Sequence, residues 1–293
     1  MRVSLVILVV IFVVAACTER IDINTDDAPS RVVIYGYVTT DTIVVRITRS
    51  AGYFTTDPPV GVDNAVVTIT DNDGNVIPLS FSHNDTISGL YLTEEPNIYG
   101  KEEKTYKLDI NINNNEHYYA EAYLQNINHI DSIGLRLSTI PFFRDRVEVL
   151  LYAENSGVRT NYCFFVSIND SVVNSNINRW MVVGSDFFKD DEYIDGEPCY
   201  FLDQDPDNHH NRYEVLKIGD KVSLNINALS DDYATFISNV QTEIRGSNPI
   251  FGGPPANVPT NIKSKEGNLV LGFFTAYPSR YAHTFVKQEF IVR

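Results

Sequence analysis

The chain has 293 residues, with 38 acidic side chains against 23 basic ones and a formal charge of −15 at pH 7. So acidic a surface repels phosphate backbones, which argues against nucleic acid as a partner. The length suffices for one large domain or two ordinary ones.

Met1-Arg2 gives a short positive start, residues 3–14 (VSLVILVVIFVV) an apolar run, and Ala15-Ala16 a small-residue cleavage point. This is the layout of a secretory signal, and the run is shorter than the roughly eighteen residues of a spanning helix. Val14-Ala15-Ala16-Cys17 resembles the bacterial lipobox, in which the thiol is diacylated and the leader is cut off in front of it. Residues 1–16 are therefore read as a lipoprotein signal peptide, Cys17 as the lipidated residue and 17–30 as a tether. Each buried lipid CH₂ contributes about 0.8 kcal/mol, so two or three acyl chains hold a domain durably. The expectation is a protein anchored to a membrane rather than spanning it. Thr18, where an aspartate would favour inner-membrane retention, points to the outer membrane, on its periplasmic or cell-surface face.

RVVIYGYV (31–38) and TIVVRITRS (42–50) are rich in the β-branched and aromatic residues of strands. AVVTIT (65–70) runs into Asp71-Asn72-Asp73-Gly74, a hairpin turn signal, and returns through NVIPLS (75–80), with GLYLT (89–93) after it. KTYKLDINI (104–112) alternates Tyr106, Leu108, Ile110 and Ile112 on one face, and NNN (113–115) turns the chain into EHYYAEAYL (116–124). The fold class is mainly β. Residues 31–125 are expected to form an immunoglobulin-like or fibronectin-type sandwich, with Tyr106 either a tyrosine corner or a plain core aromatic.

Around QNINHIDSI (125–133) the pattern restarts, and residues 126–293 are expected to form a second β-rich domain. Its strands are VEVLLYAEN (147–155), NYCFFVSIND (161–170), NRWMVVGSD (178–186) and KVSLNINAL (221–229). One helix is expected near 231–245. Ser230 is its N-cap, Asp231 and Asp232 occupy the first turn, and Gly246 stands near its stop. Tyr233, Phe236, Ile237, Val240 and Ile244 recur at helical spacing as a buried stripe. Residues 246–268 hold four prolines and four glycines and read as irregular. Long loops are commonly functional, so Asn248, Phe251, Pro254, Pro255, Asn257, Val258 and Asn261 are candidate partner contacts. LVLGFFTAY (269–277) and AHTFVKQEFIV (282–292) close the domain as strands.

Beyond Cys17, Cys163 and Cys199 remain. An even pair in an oxidising compartment suggests a disulfide; two buried free thiols acting as small apolar residues is the other reading. DQDPDNHHNRYE (203–214) sets Asp203, Asp205, Asp207, Asn211 and Glu214 at positions 1, 3, 5, 9 and 12 of an EF-hand-type loop, a spacing that aims carboxylates at one calcium ion. Against calcium stand Asn208 at the glycine position, Pro206, His210 at the apolar position, and flanks that do not read as helices. An acidic surface hairpin is the alternative. His209 and His210 are adjacent, so on a strand they point to opposite faces and would not chelate together. Nucleophile-elbow, zinc-protease and phosphate-loop patterns do not occur. Asp190, Asp191 and Glu192 read as a solvated face rather than a glycosidase pair. No cofactor and no catalysis are expected.

The lipobox, the strand-rich first half, HIDSI (129–133), SDFFKDDEYIDG (185–196), LSDDYATFIS (229–238) and NPIFGGPPANVPTNIKSKEGNLVLGFFTAY (248–277) together resemble an uncharacterised lipoprotein family of Bacteroidetes built on a domain of unknown function. KDD and the extended SKEGN depart from that family's pattern. The resemblance implies an outer-membrane lipoprotein that partners a TonB-dependent receptor, beside which members are often encoded, and it implies no reaction. Thr42, Thr86, Ser132 and Ser171 each follow an aspartate and precede an apolar residue, which resembles the O-glycosylation acceptor of exported proteins in that phylum. Asp-Ser/Thr pairs also start turns, and Thr86, in SHNDTISG, is the favoured acceptor. The expected role is an accessory binding or docking subunit of a TonB-dependent uptake system. A fimbrial or adhesive subunit is the alternative. A surface glycan-active enzyme ranks third, because one tryptophan equips a chain poorly for sugar stacking.

Overall fold

The computed structural model describes residues 30–51, 58–83, 87–94, 96–155, 160–188, 193–205, 214–246 and 258–287. In the first part run β1 (Val32–Thr39), β2 (Ile43–Arg49), β3 (Val60–Gly61), β4 (Ala65–Asp71), β5 (Val76–Phe81), β6 (Leu90–Thr93), β7 (Lys104–Ile112) and β8 (Glu116–Leu124). Then come β9 (Ile130–Leu137), β10 (Arg146–Glu154), β11 (Asn161–Ile168), β12 (Ser171–Val172), β13 (Met181–Gly184), β14 (Tyr193–Asp203) and β15 (Lys221–Leu229). Helix α1 (Asp231–Gly246) precedes β16 (Lys263–Ser264), β17 (Val270–Tyr277) and β18 (Ser279–Phe285). The fold is mainly β with one helix among the described residues.

The first unit is one ten-stranded sheet, ordered β16-β8-β7-β4-β5-β6-β2-β1-β17 with β3 beside β2. Alternation gives each strand one apolar face, and these faces meet inside: Ile34, Val45, Ile69, Leu108 and Ile110 are buried together. The sheet curls until β17 lies beside β8, nearly closing a barrel. This differs from the expected sandwich. A period of two specifies one buried face per strand, and a curled sheet satisfies it as well as two stacked sheets do. Tyr106 makes the corner bonds nonetheless: its hydroxyl accepts from Lys101 N at 2.6 Å and donates to Lys101 O at 3.3 Å.

The hydrogen bonding also crosses the expected 125/126 boundary. β17 pairs with β1 in parallel, from Val32↔Val270 to Thr39↔Tyr277, and β16 pairs with β8. Gly272 makes the parallel pairing feasible. At φ +101° it takes a backbone shape that side chains rarely adopt, and a Cβ there would lie 1.8 Å from Ile34 O. Where β17 meets β8 without a ladder, Asn261 supplies the bonds. Its amide donates to Phe274 O at 2.7 Å and Glu121 O at 3.5 Å, and its carbonyl accepts from Phe274 N at 3.0 Å.

The second unit has two sheets, β14-β10-β9 and β12-β11-β15-β18, the latter with β13 also on β11. They face each other across a shared core that includes Val149, Leu151, Phe164, Val166, Leu202, Leu224 and Ile226. Helix α1 lies over the outer face of the larger sheet and reaches the first unit. Tyr233, Phe236 and Ile237 pack with Cys163 and Leu229 on one side and Phe273 of β17 on the other. Its start is as expected: Ser230 Oγ accepts from Tyr233 N at 3.3 Å, with Asp231 and Asp232 in the first turn. The apolar stripe ends at Val240, and Ile244 is exposed.

Candidate functional site

The two units are fastened at one end of the second. Tyr281 donates to Asp41 Oδ2 at 2.6 Å, Thr40 Oγ1 accepts from Ser279 N at 3.0 Å, and Arg280 reaches Ile127 O at 2.9 Å and pairs with Glu102. Tyr35 and Tyr233 share a hydrogen bond between their hydroxyls. Burial pushes the Tyr35 hydroxyl up to about 12, and Tyr233 and Tyr277 also rise through burial. From this junction β18 runs away to Phe285 and β11 to Ile168, while β15 starts at the far end with Lys221.

That far end is a set of loops bonded to one another. The Asn169-Asp170 turn has positive φ at both residues, which Asn and Asp tolerate best among residues with a side chain. Asn169 Nδ2 donates to Asp220 Oδ1 at 2.8 Å, and Lys221 pairs with Asp170 at 3.0 Å. Val286 N donates to Asp220 O at 2.9 Å. Gln204 N donates to Asp145 O at 3.0 Å, and Gln204 Oε1 accepts from Leu216 N at 2.9 Å. These bonds tie the β9–β10 hairpin to the segment that leads into β15.

Glu214 is a buried carboxylate beneath these loops. Arg179 donates to one of its oxygens, and Asp203 N donates to the other at 2.9 Å. Arg179 also reaches Val173 O at 2.8 Å and Tyr200 OH at 3.3 Å. Asp203 is buried too, and its Oδ1 accepts from Asp205 N at 2.9 Å. At the closing position of the calcium spacing the structure places an ion pair. Both oxygens of Glu214 are engaged by an arginine and a backbone amide, which is how a buried carboxylate is ordinarily satisfied. Asp207 and Asn211 lie outside the described residues, and among those described no group of three His, Cys, Asp or Glu side chains is placed to hold a metal.

The hairpin tip above is apolar. Ser138 Oγ accepts from Ile140 N at 3.3 Å, and a 3-10 turn, Pro141–Phe143, follows. Phe143 is fixed against Phe201 at 5.2 Å between ring centres, with Arg146 over its face at 4.8 Å. Phe142 is left 94 % exposed, and Val172, Ile218 and Phe285 are exposed on elements of the same end. Leaving a phenyl ring in water forgoes roughly 1.5–3 kcal/mol that burial against a partner would supply.

The other candidates separate clearly. Cys163 and Cys199 are free and buried, so the disulfide does not form. Cys163 faces the helix cluster on the outer side of β11, while Cys199 faces the core between the sheets and donates to Val149 O at 3.3 Å. Burial pushes the Cys163 thiol up to about 12 and that of Cys199 higher still. Val258 packs into the helix cluster and Asn261 stitches the curled sheet, so both have structural roles. Asn248, Phe251, Pro254, Pro255 and Asn257 lie outside the described residues, as do Cys17 and Thr86. Thr42, Ser132 and Ser171 are all exposed. Phe142 and Arg179 escaped the sequence reading, although an Ile-Pro-Phe-Phe turn between two strands was a signal for the first.

No curated protein matches the chain. The sequence fits the model of DUF4249, a domain of unknown function, over residues 18–281, and the chain belongs to that family.

Proposed function

We propose that the protein is a lipid-anchored, non-catalytic subunit that docks on a TonB-dependent outer-membrane receptor through the loop end of its second unit. One observation carries this reading: Phe142 stands almost wholly in water on a hairpin whose base is hydrogen-bonded to its neighbours. Rigid loops holding an exposed aromatic resemble the anchors of protein interfaces, where pre-ordered side chains lose little entropy on binding. β1 begins at Val32, at the end of the strand remote from the Thr40 and Asp41 junction. Residues 18–30 can reach about 45 Å when extended, which lets the anchored body present its loops at a distance. No helix among the described residues is long and apolar enough to cross a membrane.

The test is affinity purification of the tagged protein from its native membranes, with mass spectrometry of what accompanies it. A TonB-dependent receptor should co-purify with the wild type and be lost with Phe142→Ser, while the circular dichroism stays the same. Labelled palmitate should enter the wild type and not Cys17→Ala. Equal receptor recovery with Phe142→Ser refutes the docking assignment.

A further inference from the structure

Beside α1, on the flank of the second unit, a groove of about 560 Å³ opens between the helix and β13. This lies within the range of small-ligand sites, about 300–1,000 Å³. Asp231, Thr235, Ser238 and Gln241 stand along one stripe of the helix, and Asn161 and Trp180 line the strand side. Asp231, Thr235 and Ser238 are exposed and Gln241 is half-buried, so the stripe's polar groups are accessible to a ligand lying between the helix and the strand.

The hydrogen bonds already made define what remains on offer. Asn161 Nδ2 donates to Asp231 Oδ1 at 2.7 Å. Gln241 Nε2 donates to Ile177 O at 2.7 Å and Trp180 O at 2.9 Å. Thr235 Oγ1 donates to Asp231 O at 2.8 Å. Gln241 directs both amide hydrogens at protein carbonyls and Asn161 directs one of its two at the Asp231 carboxylate, which leaves on offer their carbonyl oxygens, the second Asn161 hydrogen, the second oxygen of Asp231 and the Ser238 hydroxyl. The described lining holds more acceptors than donors, and no lysine or arginine is among the described residues that line it. Its aromatic wall is held still: Trp180 Nε1 donates to Ser175 O at 3.2 Å, and the ring meets Phe165 edge-on at 5.0 Å.

A cleft whose described lining is acceptor-rich and includes the Asp231 carboxylate but no cation disfavours phosphates and carboxylates, and it suits a ligand that presents many hydroxyl hydrogens together with an apolar C–H face. We propose that the groove binds a short neutral glycan, with one ring against Trp180 and its hydroxyls donating to Asn161, Asp231 and Gln241. This assignment is independent of the docking surface, which lies at the loop end.

Trp180 is the only tryptophan in the chain, so indole fluorescence reports on this groove alone. The full-length lipid-free protein is titrated with neutral trisaccharides of glucose, xylose, mannose and N-acetylglucosamine, and in parallel with trigalacturonate and spermidine. A saturable change with at least one neutral trisaccharide, at a Kd of about 1 mM or below, is expected. Ala234→Leu, which fills the groove from a half-buried helix position, should weaken it about tenfold or more; Ala234→Ser should leave it within about twofold. Calorimetry on both variants checks the fluorescence, and far-ultraviolet circular dichroism checks the fold. No saturable response to any neutral sugar, a response to the charged probes alone, or binding indifferent to Ala234→Leu would each overturn the assignment.

Discussion

The two units bury their strands by the same alternation but differ in what they leave outside. On the curled sheet, the outer face of β7 and β8 carries cross-strand pairs, Lys107 with Glu121 at 3.1 Å and Asp109 with His117 at 2.7 Å. Such exposed pairs add about 0–1 kcal/mol each and mainly keep the surface wet. On the second unit, one outer face lies under a helix with a groove beside it, and the far end shows Phe142, Val172 and Ile218. On the proposed reading the first unit is the scaffold and the second carries recognition, although Val60, Val66, Val76 and Tyr123 are exposed on the first as well. Substitutions in the first should therefore change stability alone, and chosen substitutions in the second should change binding alone.

The strongest way to break the scaffold is Gly272→Ala. The new Cβ would strike Ile34 O in a backbone conformation that alanine rarely adopts, so β17 must leave β1. A loss of at least about 4 kcal/mol is expected in urea unfolding, or no soluble protein at all. A variant within about 1 kcal/mol of the wild type would show that the parallel pairing does not close the sheet. Glu214→Ala should come next, at about 3 kcal/mol, because Arg179 and Asp203 N lose their shared acceptor while Arg179 remains only partly solvated. Asn261→Ala removes three bonds at the seam and should cost about 2 kcal/mol.

Alkali should loosen the junction between the units before it loosens either core. Tyr35 has a folded pKa raised to about 12, against an ordinary value of 10.0. Its neutral form is the one favoured by folding, so this contribution is intact below about pH 10. It is lost as the pH rises from there through about 12. Ultraviolet titration should show exposed tyrosines ionising first, with the helix signal falling only as the last hydroxyls titrate. Loss of helix signal below pH 10 would place the weak point elsewhere.

Much of this division could be read from residue order, and the rest had physical reasons for staying hidden. The helix was legible because Ser230, Asp231 and the Tyr233–Phe236–Ile237 spacing all point the same way. The individual strands were legible from alternation. How the sheets close was not, since β17 is a partner of β1 from the other end of the chain. Its run LVLGFFTAY did carry a hint. Phe274 faces the inside of the curled sheet and Phe273 the helix, and an unbroken apolar run is the signature of a strand covered on both faces. The bond between Arg179 and Glu214 joins residues far apart in sequence, and neither has a local pattern that names the other. The EF-hand spacing alone does not distinguish the two, because a buried ion pair such as that of Glu214 with Arg179 uses the same acidic residue types as a metal shell.

The subtlest separation is Phe142→Ser. With its ring almost fully in water, the residue contributes little to folding, and the unfolding midpoint should move by no more than about 0.5 kcal/mol in equivalent stability. Phe143→Ser on the neighbouring position should behave oppositely. That ring is wedged between Phe201 and Arg146, so its removal should cost about 1–2 kcal/mol and loosen the hairpin. If receptor recovery falls with Phe142→Ser at unchanged stability, the loop end acts through contact. If recovery falls only with Phe143→Ser, the hairpin serves the fold, and the binding surface must be sought on the groove side of the same unit.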